Sequence, residues 1–212
     1  MLQLIARSPE YVSGYRDYCR EFYDNHIVFF RPVHPDFIDD GWFERTKDWY
    51  DKKEKGLIKG RPVSFHYWAV DGSRFIGEFQ LRTEFPEIVM RDIGSVGLSV
   101  RVSEWGKGYG TEILRRGLDI ARERGMDQVL YTVNDRNTVS IHLCEKFGGK
   151  LEDIILSFND AEGQHLRRRT GSPCEKKRAQ SVAVKGSCPR KPLQSAQMRY
   201  NEHIRGRLRR ER

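Results

Sequence analysis

The stretch Glu104–Gly125, EWGKGYGTEILRRGLDIARERG, decides the reading of this chain. Gly106, Gly108 and Gly110 alternate with other residues and run straight into a helical pattern whose apolar members are Ile113, Leu114, Leu118 and Ala121. Glycines let a backbone turn tightly and approach a ligand with no side chain between them. The first amides of a helix have no internal acceptor, and the helix dipole adds partial positive charge there. Loop and helix together make a site for an anion, most often a phosphate, with Lys107 as an added cation; the plain alternative is a strand-to-helix turn that is glycine-rich only for tightness. There is no GxxxxGK[ST], which excludes a nucleotide triphosphate loop, and the spacing is not the GxGxxG of a dinucleotide fold.

Working outward, Ile93–Val102 is a β-rich run leading into the loop, and Gly125 closes the helix as a left-handed cap. Downstream, 128–133 reads as a strand, 137–147 as a helix and 151–158 as another strand. Upstream, 2–5 reads as a strand, and Tyr11, Tyr15, Tyr18 and Phe22 recur at helical spacing within 9–25. A second helix is expected over 35–55. Residues 63–70 and 74–82 form two strands around the turn Asp71-Gly72-Ser73. The order β-α-α-β-β-β-α-β-α-β predicts an α/β domain built on a mixed sheet.

The 212 residues suit one domain with an appendage. No run approaches the roughly 18 apolar residues of a membrane span, and MLQLIAR lacks the features of a secretion signal, so the expected location is cytoplasmic. Cys19, Cys144, Cys174 and Cys188 have neither CxxC nor zinc spacing, so reduced thiols and no metal are expected. Residues 166–212 hold fifteen Lys/Arg against three acids, and the preceding 165 hold 23 against 27. A mildly acidic body, 1–165, is therefore expected to carry a basic, disordered tail, 166–212.

The glycine loop, the strands around it and NDRNTVSIHLCEKFGGKLED (134–153) together resemble the GNAT superfamily of acyl-CoA-dependent N-acyltransferases. The likeness is closest from Ile76 to Glu152. It implies a mixed, mostly antiparallel sheet flanked by helices, with acetyl-CoA as acetyl donor and an amine of a small molecule as acceptor. The family's R/Q-x-x-G-x-G/A loop would fall on Trp105, Gly106, Lys107, Gly108, Tyr109 and Gly110, followed by Thr111, and bind the pyrophosphate through backbone amides. Leu98, Ser99 and Val100 would pair with the pantetheine arm like an extra strand. Asn137 and Ser140 match the family's N-x-x-S/A, with Asn137 touching the cofactor, and Gly148 and Gly149 match its closing glycines.

The chain departs from the pattern in places. Trp105 replaces the usual Arg or Gln, and Cys144 stands where many members carry the Tyr that protonates the leaving thiolate. Arg82-Thr83 and Gly94-Ser95 stand where a bacterial subgroup tends to have Arg-His and Gly-His. The candidates for the catalytic base or acid are Glu84, Glu87, Asp92 and Cys144, each with a plain alternative as a solvated carboxylate or a packing residue. His66, on a strand with Trp68, reads first as a structural histidine. Phe22, Tyr23, Phe29, Phe30, Trp42 and Trp49 are candidates for an acceptor pocket, with core packing as the default. A homodimer is compatible with the pattern.

Two further readings remain open. A GNAT-like domain without turnover would bind coenzyme A only, and the basic tail could neutralise nucleic-acid phosphates. The subgroup tends to finish with a strand resembling Arg-Tyr-Trp-Ile after the turn at 159–163. Dropping one T from CGT TAC TGG ATC C gives CGT ACT GGA TCC, which encodes Arg-Thr-Gly-Ser, the residues at 169–172. A one-base deletion near Arg169 would account for the tail, truncating the last strand and exposing a sheet edge.

Overall fold

The computed structural model describes residues 1–27, 32–156 and 166–173. Seven strands form one sheet in the order β1-β2-β3-β4-β5-β7-β6. They are β1 (Leu2–Ala6), β2 (Ser64–Asp71), β3 (Arg74–Arg82), β4 (Val96–Val100), β5 (Gln128–Asn134), β6 (Lys150–Leu156) and β7 (Leu166–Pro173). Every neighbouring pair is antiparallel except β4 and β5, which run parallel and register at one position, Val96 with Tyr131. The sheet is mixed and mostly antiparallel, as expected.

Four helices flank it: α1 (Val12–Asp24), α2 (Trp42–Glu54), α3 (Tyr109–Glu123) and α4 (Thr138–Lys146). The periodicities of their sequences place two cores on opposite faces of the sheet. In α1, Tyr15, Tyr18, Cys19 and Phe22 recur at helical spacing and pack with Trp42, Phe43, Trp68 and Phe75 into an aromatic core. Tyr15 stacks between Trp42 at 5.1 Å and Trp68 at 5.2 Å. In α3, Ile113, Leu114, Leu118 and Ala121 are buried against Ile76, Phe79 and Leu81 of β3. Gly117 completes that face. A Cβ there would stand 2.2 Å from the Phe79 ring, so helix and strand meet at a distance only glycine permits. Gly125, at φ 80°, ends α3 with paired bonds, Gly125 N to Arg122 O at 2.9 Å and Met126 N to Ala121 O at 3.0 Å.

Three expectations change. The second helix begins at Trp42, not Pro35. Pro35–Phe37 makes a single 3₁₀ turn, and Asp39 then opens α2 by accepting from Gly41 N at 2.9 Å and binding Arg45. The run expected as strand from Ile93 starts as a π-helical turn, Val89–Ile93, and becomes strand only at Val96. The expected tail also starts too early at 166. Leu166–Pro173 is β7, paired with β5 on one side and β6 on the other. Ladder bonds need only backbone groups, which Arg169-Thr170-Gly171-Ser172 supplies as well as any sequence. The disorder expected over 174–212 falls outside the described residues.

Candidate acyl-donor and acceptor sites

The two ends of the site are built by different means. At the donor end, Gly106 and Gly108 adopt φ 75° and 84°, a left-handed conformation that disfavours any side chain. A Cβ at either would meet nothing within 4 Å, so the loop faces open space. The first helical bond of α3 runs from Glu112 N to Gly108 O at 3.2 Å, which leaves the amides of Tyr109, Gly110 and Thr111 ahead of the intrahelical ladder. The helix start is clamped from the side. The Tyr109 hydroxyl donates to Asp71 Oδ2 at 2.9 Å and accepts from Arg74 at 2.9 Å, which fixes it to the β2–β3 turn. Lys107 is engaged rather than free, with Nζ 2.9 Å from Ser103 O and 3.1 Å from Glu104.

β4 leads into this loop. Arg101 N donates to Ile76 O at 2.8 Å and Arg82 N to Ser95 O at 2.7 Å, both across to β3. Successive residues of a strand turn their backbone groups to alternate sides, so Leu98 and Val100 present theirs away from β3. On that side β4 has left β5, and a gap opens. An extended amide chain would fit the part of this edge that Trp105 does not cover, and the phosphates that follow it would reach the α3 amides. The donor-end residues therefore form one continuous track, Leu98 to Val100 and then Gly106 to Thr111.

Trp105 is half exposed, and its indole N–H donates to Val100 O at 2.7 Å. The side chain that replaces the family's Arg or Gln is spent on the strand rather than on the loop. Asn137 caps α4, its Oδ1 accepting from Ser140 N at 3.1 Å. Its amide nitrogen is the part that would be left to meet a cofactor.

At the acceptor end, Glu84 accepts from Val63 N at 3.0 Å and fastens the ends of β2 and β3. Glu87 is exposed, and Asp92 lies in the π-helical turn. Cys144 is 4% exposed in the core between α4 and the sheet. Phe22 and Trp42 are buried in the aromatic core, Tyr23 donates to Pro32 O at 3.1 Å, and Trp49 is exposed. Phe29 and Phe30 lie outside the described residues.

Sequence reasoning missed Glu78. It stands on β3 opposite Ser99, on the face covered by α1. The Tyr18 hydroxyl, fully buried, lies 3.2 Å from Glu78 Oε2 and 2.5 Å from Ser99 Oγ. Desolvation pushes the Glu78 carboxyl up to about 7, against hydrogen bonding from Tyr18 and the charge of Arg7. Trp68 Nε1, buried with no hydrogen-bond partner, approaches the same carboxyl and works against that upward shift. Glu78 had one weak signal in sequence, an acid at an alternate position among aromatic strand residues. On the far side, Glu21 of α1 binds Arg101 and accepts from Ser103 N at 3.0 Å, tying α1 to the end of β4. Burial would raise the Glu21 carboxyl, but these bonds hold it below the ordinary value.

Comparison with known proteins agrees with this fold. The family model of the GNAT acetyltransferase domain matches residues 21–150, and the chain belongs to that family. A search of curated protein sequences gives no significant match. Solved structures share the fold at low identity. RimL, a ribosomal L7/L12 alpha-N-protein acetyltransferase in complex with coenzyme A, is 11% identical, with a TM-score of 0.62 over 81% of this chain and 93% of that one. The ribosomal-protein-S5-alanine acetyltransferase from Vibrio fischeri is 15% identical, with a TM-score of 0.63 over 84% and 94%. YncA from Salmonella typhimurium, a putative acetyltransferase with its cofactor acetyl-CoA, is 14% identical, with a TM-score of 0.58 over 86% and 99%. Among the described residues no helix is long and apolar enough to cross a membrane.

Proposed function

We propose that this protein is a cytoplasmic N-acetyltransferase that moves an acetyl group from acetyl-CoA to the primary amine of a small molecule. The observation that carries the reading is the open glycine cradle at the start of α3, continuous with the edge of β4 beyond its parting from β5, where the Trp105 indole takes the Val100 carbonyl. The amides of Gly106 to Thr111 would hold the pyrophosphate, and the backbone of Leu98 to Val100 the pantetheine arm. A backbone N–H on the same edge would face the carbonyl oxygen as the tetrahedral oxyanion forms. Asn137, at the start of α4, would add one amide contact to the cofactor.

Most amines are protonated at neutral pH and must lose a proton before attack. A path for it leads away from β4. Ser99 Oγ accepts the ammonium proton and passes its own to Tyr18, whose hydroxyl proton moves to Glu78. The neutral amine then attacks the thioester carbon, the C–S bond breaks, and the second proton shed by the nitrogen as it becomes an amide passes to the leaving thiolate. A carboxyl held near 7 is suited to receive such a proton. Positioning of the two substrates would supply much of the remaining rate.

A second reading, a coenzyme A-binding domain without turnover, is favoured by Trp105 and by the burial of Cys144. Calorimetry with acetyl-CoA on the full-length protein tests both. Micromolar binding, lost in Gly108→Glu, followed by turnover in an amine screen supports the enzyme. Binding without turnover supports the second reading, and no binding by folded protein removes both.

A further inference from the structure

The face of the sheet under α2 carries a group of charges that acetyl transfer itself does not require. Lys53 Nζ donates to His66 Nε2 at 2.8 Å, and Gln80 Nε2 donates to the same nitrogen at 2.9 Å. Gln80 Oε1 in turn accepts from Arg82 at 2.5 Å. Arg82 can only donate, which fixes the orientation of the Gln80 amide, and two donors on His66 Nε2 require a neutral ring. Desolvation, reinforced by Lys53 and Arg82, lowers the imidazole to about 2, consistent with that assignment.

The group has an excess of positive charge. Lys47 and Lys52, on the exposed side of α2, pair with Asp51 at 2.9 Å and Asp48 at 2.6 Å. Lys53, the inward lysine of the same helix, rests on an imidazole. Among the described residues no carboxylate makes an ion pair with Lys53, Arg82 or Arg7. Burial, followed by repulsion from Arg82 and Arg61, brings Lys53 down to about 8. Arg7 stacks 3.6 Å over the Tyr50 ring, and its one side-chain hydrogen bond goes to Thr46. Glu78 acts on Lys53 and Arg7 only at longer range, and it is itself half neutralised near pH 7. Taking several cations from water with no directly paired carboxylate among the described residues is costly, and a folded protein resolves such a cost by pairing or by ligand binding.

The position suggests the ligand. Gln80 stands opposite Gly97 of β4, and Arg82 donates to Gly94 O at 3.1 Å, immediately before the point where β4 parts from β5. An amine placed at that gap would lay the next part of its molecule against Lys53. We propose that the acceptor carries an anionic oxygen group, carboxylate or phosphoryl, which binds Lys53 directly within the field of Arg82 and Arg7. Two of the three ammonium protons of Lys53 remain to meet it after the bond to His66. The inference rests on the acetyltransferase reading for the identity of the ligand, but the anion site itself does not.

Two measurements on the full-length protein test it. The first follows the His66 ring by NMR while inorganic phosphate, and separately acetate, is added. A saturable shift is expected with at least one anion, weakened about tenfold or more in Lys53→Met, kept within about threefold in Lys53→Arg and unchanged in Lys52→Met. A shift that does not saturate, or that is equal in Lys53→Met, overturns the site. The second compares coenzyme A release with matched amines: amino acids against their carboxamides, and aminoalkyl phosphonates against amino alcohols. Preference for the charged member by about tenfold or more, lost in Lys53→Met, supports the proposal, and the better series identifies carboxylate or phosphoryl. Equal turnover of the neutral members overturns it. Saturable phosphate binding with no turnover of any amine keeps the anion site and removes the acetyltransferase reading.

Discussion

The donor end and the acceptor end of this molecule are held by different physics. At the proposed donor end the groups that would face the ligand are backbone amides, presented by Gly106–Thr111 within a few residues of one another. At the acceptor end the polar groups are side chains of Arg7, Tyr18, Lys53, His66, Glu78, Gln80, Arg82 and Ser99, drawn from six separate segments. A backbone site is insensitive to most side-chain changes but intolerant of a changed φ. A side-chain site works the other way. One family can therefore keep one donor while its acceptor face varies.

The sharpest break in the comparison is Gly108→Glu. It adds a side chain at φ 84° and a carboxylate where phosphates would lie. Left-handed strain that displaces the loop and like-charge repulsion together should cost about 3–4 kcal/mol, roughly 150- to 700-fold in acetyl-CoA affinity by calorimetry. A smaller loss would mean that the amides of this loop do not face the ligand. At the acceptor end, Glu78→Gln should lower kcat/KM about 100-fold and abolish the rise in rate through pH 7, and Ser99→Ala should match it. If Ser99→Ala is active with its pH profile intact, the proton takes another path.

Gly117→Val probes the scaffold both ends share. Its side chain must displace the Phe79 ring, costing about 1–3 kcal/mol, and the melting temperature should fall by roughly 3–10 °C. The pH dependence of stability separates two buried groups. Glu78 has its folded pKa raised from 4.5 to about 7, so the folded state holds the proton more tightly and stability falls as pH rises through that window. His66 has its folded pKa lowered from 6.5 to about 2, so its contribution is lost as pH falls below 6.5. Between about pH 4.5 and 6.5 the two oppose each other. Melting curves of Glu78→Gln should therefore lose stability more steeply toward acid than the parent protein. The smallest effect expected is in Asn137→Ala, where loss of the α4 cap costs about 1 kcal/mol, a shift of roughly 2–4 °C.

The tail needs its own tests. Resequencing the gene across the Arg169 codon should reveal a shifted frame that continues as a strand-like sequence, and a frame without one ends the deletion hypothesis. Salt-dependent retention on DNA, if any, should vanish when residues 174–212 are removed. That deletion starts after β7, so it leaves the sheet intact.

How much was legible follows from where the information lies. The glycine loop, the α3 stripe, the Gly125 cap and the β2–β3 turn are local patterns, and local patterns are written in consecutive residues. The second helix was read seven residues too long at its start, because Pro35 opens a 3₁₀ turn as readily as an α-helix. β7 resembles a tail in sequence because its residues are charged and small, although a strand between two others can be held by backbone bonds alone. Lys107 looked like a free cation, and its pairing with Glu104 depends on the loop's geometry.

The sequence by itself determined the order of elements, the family resemblance and the loop that would hold a phosphate, because helix starts and strand turns depend on neighbours along the chain. Only the tertiary structure decided that β4 parts from β5 after Val96, that Glu78 meets Ser99 through Tyr18, and that Lys53 faces inward with His66. Those relations join residues up to 81 positions apart, and their chemistry arises from desolvation and from charges brought together across the sheet. Neither exists until the chain has folded.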